Sequence, residues 1–350
     1  MDLLTAIWLG MPAWIWFLFI AVVLGLLAFD LGVMHRDAKE IGVRESLNMS
    51  ALYIGLGLAW AIAVYWIYFA YSGSDSIDPQ IASAATPAER AWTAVQLYVT
   101  GYLVEKTLAL DNVFIISMIF TYFAVPREYQ HRVLFWGVLG VIVLRAIMIG
   151  LGAALVMQFA WIMYFFAVVL IATGIKMLVM MDKKPDLSDN PVLKFMRKRL
   201  RVTEKLYGQA FLVRLPDPRT QKVALWVTPL FLCLVLVEVA DLVFAIDSVP
   251  AIFAITPDAF IVYTSNIFAI LGLRALYFAL DAVIHRFHYL KYSLAFVLIF
   301  IGGKIFAGDW LFDGKVPASL SLSVTAALLI GGILVSLWKT RAAVANGSSR

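Results

Sequence analysis

The stretches EKTLALDNV (residues 105–113) and DLVFAIDSV (residues 241–249) share one pattern inside segments that are otherwise apolar. Each begins with an acidic residue and, after five further residues, continues with aspartate, a small polar residue and valine. A charge at the centre of a bilayer costs at least ~2.5 kcal/mol, so such residues are usually functional. A chain that buries the same pattern twice is therefore expected to use it.

Composition places these stretches in a membrane. Hydrophobic residues make up 63% of the 350 residues, more than a water-soluble core can use. A span needs about 20 apolar residues, and the sequence predicts nine spans. They lie at 11–29, 51–71, 96–123, 133–155, 160–181, 223–250, 259–280, 292–307 and 318–338. No Lys or Arg precedes Arg36, so the first span lacks the basic start of a cleaved signal and is expected to be retained.

The distribution of basic residues predicts the orientation. With nine spans, 21 of the 28 Lys and Arg fall in loops on one side and only 2 on the other. Loops rich in Lys and Arg stay in the cytoplasm. The N-terminus is therefore expected outside and the C-terminus inside. The net charge of +5 then needs no nucleic acid to explain it.

The repeat extends beyond the two aspartate stretches. The next span in each half carries Leu-Arg-Ala, at 144–146 and 273–275, and the span after it carries TGIKML (173–178) or IGGKIF (301–306). Because each repeat has three spans, the two halves cross the membrane in opposite directions. Transporters built from such inverted repeats place their binding site near the midplane, between the halves.

The sequence thus predicts an all-α polytopic helix bundle with two inverted three-helix repeats. Its five parts are a two-span region (1–91), the first repeat (92–181), a basic cytoplasmic loop (182–222), the inverted second repeat (223–307), and the last span with the tail (308–350). Within the loop, Leu193, Met196 and Leu200 share a helical face surrounded by cations. We expect an amphipathic helix at 191–206 on anionic lipid headgroups, the alternative being a solvated loop that only sets topology.

Charged residues within the spans are the candidates for function, and all are expected to face the bundle interior. Carboxylates and the side-chain oxygens beside the aspartates suit a hard divalent cation such as Mn²⁺, Mg²⁺ or Ca²⁺. The candidate ligands are Glu105, Asp111, Asn112, Glu238, Asp241, Asp247 and Ser248. The candidate charge partners are Lys106, Arg145, Lys176, Arg274 and Lys304. Metal binding is expected to release protons or to displace Lys106, Lys176 or Lys304 from their partners. Asn266 is either a further ligand or an interhelical hydrogen-bonding residue.

Helical geometry constrains this site. Residues six apart are separated by about 120° around a helix axis, so Glu105 and Asp111 cannot share a face, nor can Asp241 and Asp247. A broken helix would let them converge, and Pro250 cannot donate a hydrogen bond to the carbonyl of Ile246. We therefore expect a break near Asp247; Phe114 occupies the matching position in the first half, which lacks this cause.

These residues resemble a known family. EKTLALDNVF, GVLGVIVLRAIMI, ATGIKM, EVADLVFAIDSVPAIFAIT, SNIFAILGLRALYF and FDLGVMHRDAKE are similar to the TerC family, most closely its Alx-type members, from about Phe29 to Phe306. The resemblance implies a bacterial inner-membrane exporter of Mn²⁺, with the ligand candidates above as pathway residues. The founding member takes its name from tellurium resistance.

Other function classes remain open. The ion pairs could be structural, in a membrane scaffold of a stress-resistance complex whose protein partners the sequence does not name. The transported solute could also be Ca²⁺ or another cationic solute. No enzyme activity and no cofactor are expected, because we find no nucleophile with a base and no Gly-rich phosphate loop. A single cysteine, Cys233, allows no internal disulfide.

Overall fold

A computed structural model of the protein describes residues 5–32, 42–71, 78–159, 161–179, 190–217, 222–281, 290–311 and 316–347. The helices in these segments are α1 (Ala13–Gly32), α2 (Val43–Tyr71), α3 (Pro79–Ala82), α4 (Pro87–Tyr122), α5 (Arg127–Gln158), α6 (Ile162–Val179), α7 (Pro191–Arg199), α8 (Pro229–Ile255), α9 (Ala259–Ile270), α10 (Leu273–Asp281), α11 (Leu290–Leu311) and α12 (Ala318–Gly347). Two antiparallel hairpins pair β1 (Ile7–Trp8) with β2 (Met11–Pro12) and β3 (Leu212–Pro216) with β4 (Val223–Val227).

The predicted all-α polytopic class is confirmed, whereas the predicted count of nine spans exceeds what the described residues support. Seven helical segments among them are long and apolar enough to cross a membrane: Arg44–Tyr71, Arg127–Gln158, Ile162–Val179, Pro229–Ile255, Ala259–Ala279, Lys291–Gly308 and Ala318–Ser336. The apolar part of α1, Ala13–Phe29, is shorter. Helix α4 does not qualify; it carries Glu105, Lys106 and Asp111 near its middle.

Helix α4 is nevertheless the longest element described, and its start is well defined. Thr86 accepts a hydrogen bond from the amide of Glu89, whose carboxylate accepts one from the amide of Thr86, and Pro87 occupies the first turn. This capping box pairs amides that a helix start leaves unpaired. At 1.5 Å per residue, the 36 residues extend about 54 Å, enough to cross a bilayer and protrude.

The prediction of a span at 223–250 is wrong at its start. Residues Val223–Val227 form strand β4, paired with β3, and helix α8 begins at Pro229. An apolar run of five residues does not distinguish a strand from the end of a span. The proline, which lacks an amide to donate, suits the first turn of a helix.

The predicted break at Pro250 is also wrong. Helix α8 continues through Pro250 to Ile255, with Val249, Pro250 and Ala251 all buried. A proline removes one hydrogen bond, and neighbouring helices can hold a membrane helix straight across that gap. The interruption lies one span later, at Leu271 and Gly272 between α9 and α10, where Gly272 has φ of +80°.

The bundle core is built by helices from both predicted repeats. Helix α4 packs on α8 and α9, α5 packs on α8, and α6 packs on α11. Small residues bring α6 and α11 close together. A Cβ added to Gly174 would lie 2.8 Å from the carbonyl oxygen of Ala295, and one added to Gly302 would lie 2.7 Å from that of Ala167. Membrane helices commonly approach each other over such residues.

The basic loop contains helix α7, but its apolar face is not free to enter lipid. Leu193 and Met196 are buried, and α7 packs on α8, while Phe195 and Leu200 are exposed. Thr228 anchors the β3–β4 hairpin to the start of α8, because its hydroxyl donates to the carbonyl of Ala210 at 2.7 Å. The predicted amphipathic helix is therefore shorter than expected and docks on the protein through its apolar side.

Buried carboxyls close the end of the bundle where α8 meets α9. Asp258 caps α9 by accepting from the amides of Phe260 (3.0 Å) and Ile261 (3.2 Å). Asp78, at the start of α3, accepts from the hydroxyl of Thr256 at 2.5 Å. Burial raises the pKa of Asp258 from 3.8 to about 6.

The α6–α11 contact predicts a difference between adjacent glycines. Gly302→Ala should lower the free energy of unfolding by about 1–3 kcal/mol, because the new methyl group overlaps the backbone of α6. Gly303→Ala should be neutral or stabilising, since nothing lies within 4 Å of its added Cβ. Thermal unfolding in detergent, followed by tryptophan fluorescence, measures both. Equal stabilities would contradict the close α6–α11 contact.

The raised pKa of Asp258 predicts a pH dependence of stability. Between pH 3.8 and about 6, the carboxyl in the folded protein keeps a proton that the unfolded chain has lost. Stability should therefore fall as pH rises through this window, by up to roughly 3 kcal/mol. Asp258→Asn retains a capping side chain without titrating and should remove this fall. Thermal unfolding of both proteins at pH 4 and pH 7.5 tests it; parallel pH responses would contradict the prediction.

Candidate functional site

Arg145, on α5, lies at the centre of the described polar residues. It is 1% exposed. Its Nη1 donates to the carboxylate of Glu105, to Ser248 Oγ at 3.1 Å and to Asn266 Oδ1 at 2.9 Å. Its Nη2 lies 3.4 Å from Asp241 Oδ1. One guanidinium from the first half thus joins side chains of α4, α8 and α9.

Two amides complete the network. Asn112 Nδ2 donates to Asp241 Oδ1 at 3.0 Å, and Asn266 Nδ2 donates to Glu105 Oε2 at 3.3 Å. All the members are buried. We call this set the Arg145 cluster; its members are Glu105, Asn112, Arg145, Asp241, Ser248 and Asn266. Asn266 thus makes interhelical hydrogen bonds, one of the two roles that the sequence predicts for it, and its use as a further ligand stays a prediction.

The Arg145 cluster has a formal charge of −1 when both carboxylates are ionised. Taking a charge out of water costs several kcal/mol, which only close pairing and hydrogen bonding offset. Arg145 supplies both, because it contacts Glu105 and Asp241 at once. Its guanidinium lies between the two carboxylates and supplies the positive charge that both contact.

Two oxygen atoms of the cluster are left without partners. Asn112 Oδ1 and Asp241 Oδ2 are buried and accept no hydrogen bond. Both residues line a small cavity, with room for about a water-sized particle, whose remaining walls are apolar and include Leu134, Val237 and Leu273. An unpaired buried oxygen is costly, so such atoms usually face water or an ion. Amide and carboxylate oxygens are the ligand type that hard cations such as Mn²⁺, Mg²⁺ or Ca²⁺ prefer, and these two atoms would supply only part of a ligand set.

Glu238 lies one turn before Asp241 on α8 but does not line this cavity. Its Oε2 is buried without a hydrogen-bond partner. A Cβ added at Gly140 of α5 would overlap its Oε1, so the glycine makes room for the carboxyl. Glu238 thus approaches α5 beside the cluster.

Other predicted residues lie outside the cluster. Asp247 is half-buried and accepts from Thr173 Oγ1 on α6 at 2.9 Å. Asp241 and Asp247 thus face different helices, as their spacing predicts. Lys304 donates to Ser321 Oγ on α12 at 3.1 Å. Lys176 is exposed, so the expectation that every charged residue of the spans faces the interior is wrong for this side chain, whose long stem can follow the helix surface.

Three further predicted residues, Arg274, Lys106 and Asp111, are not members of the Arg145 cluster. Arg274 is buried and lines a second cavity with Tyr53. Lys106 donates to two main-chain carbonyls at the break between α9 and α10, those of Ala269 and Leu271. The side chain of Asp111 lies outside the described residues, although its backbone belongs to α4.

The described side chains do not form a complete metal site. Among them, no three His, Cys, Asp or Glu residues converge in a way that could hold a metal ion. The carboxylates of Glu105 and Asp241 are instead engaged with Arg145. A metal would need amide or hydroxyl oxygens in addition, or a change in the position of Arg145.

Sequence reasoning missed three residues that shape this region. Thr173 donates a hydrogen bond to Asp247. Gly140 leaves space for Glu238. Gly272 breaks the α9–α10 span. Thr173 lies inside the repeat motif TGIKML, and Gly272 comes directly before Leu-Arg-Ala. Their positions in the repeats were the available signal, whereas nothing local to Gly140 indicated its role.

The Arg145 cluster predicts coupled stability effects. Arg145→Met leaves two buried carboxylates uncompensated and should lower the free energy of unfolding by about 3–5 kcal/mol. Glu105→Gln should also destabilise. The double variant should lose at least about 1 kcal/mol less than the sum of the single losses, because the two residues share one interaction. Unfolding in detergent measures all three; additive losses would contradict the pairing.

Comparison with known proteins identifies the family to which the chain belongs. The model of the integral membrane protein TerC family matches residues 90–344. An uncharacterised membrane protein of Rickettsia felis is 46% identical over 92% of this chain and 97% of its own. A protein of Escherichia coli named "putative membrane-bound redox modulator Alx" is 41% identical over 93% of this chain and 94% of its own. No solved structure matches. The chain belongs to the TerC family of integral membrane proteins.

Proposed function

We propose that this protein transports a divalent metal cation, with Mn²⁺ as the principal substrate, by way of the Arg145 cluster. The observation that carries the proposal is a pair of buried, unpartnered oxygens, Asn112 Oδ1 and Asp241 Oδ2, on two residues that line the same cavity. One comes from α4 and the other from α8, the first helices of the two predicted repeats. Export is the direction that the resemblance to the TerC family implies.

The chemistry of these atoms favours a hard cation. Amide and carboxylate oxygens are the ligands that Mg²⁺, Mn²⁺ and Ca²⁺ prefer. The described part of the cluster offers neither thiolate nor imidazole. The ligand set would be completed by Glu105 and Ser248, with Asp111, Glu238 and Asp247 along the pathway, as the sequence predicts.

Arg145 gives the cluster a way to alternate between states. Adding a divalent cation to a cluster of charge −1 gives a net charge of +1, so metal and guanidinium repel each other if both stay in place. Metal entry is therefore coupled to withdrawal of Arg145 from Glu105 and Asp241, and metal release is coupled to its return. Protons that bind the freed carboxylates would couple export to proton entry.

The packing supports the inverted repeat as part of this proposal. The first helices of the two repeats, α4 and α8, pack on each other, and so do the third, α6 and α11. The second helix of each repeat packs on the first of the other, since α5 lies on α8 and α9 lies on α4. A pseudo-two-fold axis through the cluster would produce this pattern. With α1 and α4 counted as spans, we propose nine spans in the inner membrane, N-terminus outside.

The other functions are weaker on particular grounds. A scaffold needs no unpaired oxygens beside a cavity, although the ion pairs alone would suit it. Ca²⁺ and other cationic solutes also prefer oxygen ligands, so only a flux competition experiment distinguishes them from Mn²⁺. The redox role in the name of the Escherichia coli relative would need chemistry other than an internal dithiol, because Cys233 is the single cysteine and is buried. We propose no catalytic residues and no enzyme reaction.

The basic loop has a separate proposed partner. The cations of α7 include Lys194, Arg197, Lys198 and Arg199, and all four are exposed. We propose that they face anionic headgroups while Leu193 and Met196 anchor the helix to the protein. The contact is electrostatic and falls with ionic strength.

Metal flux tests the transport proposal. In liposomes, Asp241→Asn should reduce Mn²⁺ flux at subsaturating metal by at least about tenfold, because it removes a ligand charge without changing side-chain size. Asp217→Asn is the matched control, because Asp217 lies after β3 and pairs with Arg201 at 3.1 Å, outside the bundle. The control should keep wild-type flux. Competition between Mn²⁺ and Ca²⁺ then ranks the substrates.

Two outcomes would overturn the proposal. Normal flux in folded Asp241→Asn protein would show that Asp241 is not needed for transport and would favour a structural role for the cluster. No wild-type flux of any divalent cation would favour the scaffold. Thermal unfolding of each variant separates loss of the site from loss of the fold.

A further inference from the structure

The span that contains α9 and α10 is broken in a defined way. Helix α9 ends with the amide of Leu271 donating to the carbonyl of Ile267 at 2.9 Å, and Gly272 follows with φ of +80°. A glycine in this left-handed conformation is a common helix terminator. A Cβ on Gly272 would also lie 2.5 Å from Tyr53 Cβ on α2, so a larger residue does not fit without movement.

Lys106 stabilises this break from the neighbouring helix α4. Its Nζ donates to the carbonyl of Ala269 at 3.0 Å and lies 3.4 Å from that of Leu271. A helix end leaves its last carbonyls without intrahelical partners, and hydrocarbon provides no water to replace them. A cation at this end also complements the helix dipole. The structure shows the ammonium of Lys106 donating to the main chain; its predicted pairing with an acid stays a prediction, since the side chain of Asp111 lies outside the described residues.

The break lies between two cavities. Leu273, the first residue of α10, lines the same cavity as Asn112 and Asp241. Leu271, Gly272 and Arg274 line a second cavity, whose other walls include Leu27, Tyr53 and Phe135, near the end of α1 and the starts of α2 and α5. Val138 lines both cavities, so it and the turn at Leu271–Gly272 separate them.

Helix α4 connects Lys106 to the Arg145 cluster. Glu105 and Lys106 are consecutive and about 100° apart around the helix, which lets one contact Arg145 and the other the break. Both also bind α9, because Asn266 Nδ2 donates to Glu105 and the carbonyl of Ala269 accepts from Lys106. A shift of α4 relative to α9 would therefore change the contacts of both Glu105 and Lys106.

We propose that Lys106 is a positioning residue that holds α10 as a gate over the cation cavity, with Leu271–Gly272 as the hinge. Release of Lys106 from the two carbonyls lets α10 swing and joins the two cavities into one passage. In the proposed orientation, this passage opens toward the cytoplasm. What passes through it rests on the proposed function, whereas the movement itself does not.

Cysteine labelling tests the gate directly. In a Cys233→Ala background, which removes the single cysteine, Leu273→Cys reports on α10 and Ile261→Cys, which is buried, reports on α9. A polar maleimide is applied to full-length protein in liposomes. With Lys106 intact, both positions should react slowly. Lys106→Met should speed labelling of Leu273→Cys by about tenfold or more, as expected from the loss of a charge-assisted hydrogen bond, and should leave Ile261→Cys slow.

Two further variants sharpen the result. Lys106→Arg should keep labelling of Leu273→Cys slow, because a guanidinium can also donate to the two carbonyls. Lys176→Met, which removes an exposed lysine of α6, should not change the rate. Equal labelling of Leu273→Cys with and without Lys106 would overturn the proposal. Fast labelling of both reporters would overturn it too, because Lys106 would then hold the whole bundle rather than the gate.

Flux measurements separate this proposal from the transport function. If Lys106 positions the gate, Lys106→Met should change the maximal rate of Mn²⁺ flux by about tenfold, while the half-saturating Mn²⁺ concentration changes less than about twofold. Asp241→Asn should instead raise the half-saturating concentration. If Lys106→Met speeds labelling of Leu273→Cys but the wild-type protein transports no divalent cation, the proposed function is refuted and the gate is supported. Normal flux with an unresponsive reporter would refute the gate alone.

Discussion

The structure depends on a guanidinium buried between carboxylates of two different helices. Arg145 cannot leave Glu105 and Asp241 without exposing charges to a medium that does not solvate them. Helices α4, α5, α8 and α9 must therefore stay within reach of one side chain. This constraint explains why the centre of the bundle is fixed even though most of its surface is apolar and offers no preferred partner in lipid.

A buried network of this kind can support either rigidity or movement, depending on whether every group is satisfied. Four groups of the network are paired through Arg145, while Asn112 Oδ1 and Asp241 Oδ2 are not. A fully satisfied core would gain nothing from an ion. Under the proposed function, the unsatisfied oxygens are the groups that would gain from a cation, and Arg145 is the group that would withdraw.

The sequence could predict the class, most of the spans and the members of the cluster, because long apolar runs and charges within them are strong signals. It could not predict which charges meet. Glu105 and Asp241 meet through Arg145, while Lys176, matched to Lys304 in the repeat, points outward. Such pairing depends on the rotation of each helix about its axis, which hydropathy does not determine.

The location of the helix break also depends on contacts between helices, which the sequence does not determine. Pro250 is the stronger local signal, yet α8 continues through it, because the loss of one hydrogen bond does not stop a helix that is packed on both sides. Gly272 is the weaker signal, yet α9 ends there, since Tyr53 leaves no space for a side chain and Lys106 supplies a donor for the freed carbonyls. A helix in a membrane breaks where neighbouring elements satisfy its unpaired carbonyls, and those neighbours are known only once the bundle is assembled. Lys106, which satisfies these carbonyls, is next to Glu105, which contacts Arg145. One turn of α4 therefore contacts both the break and the Arg145 cluster.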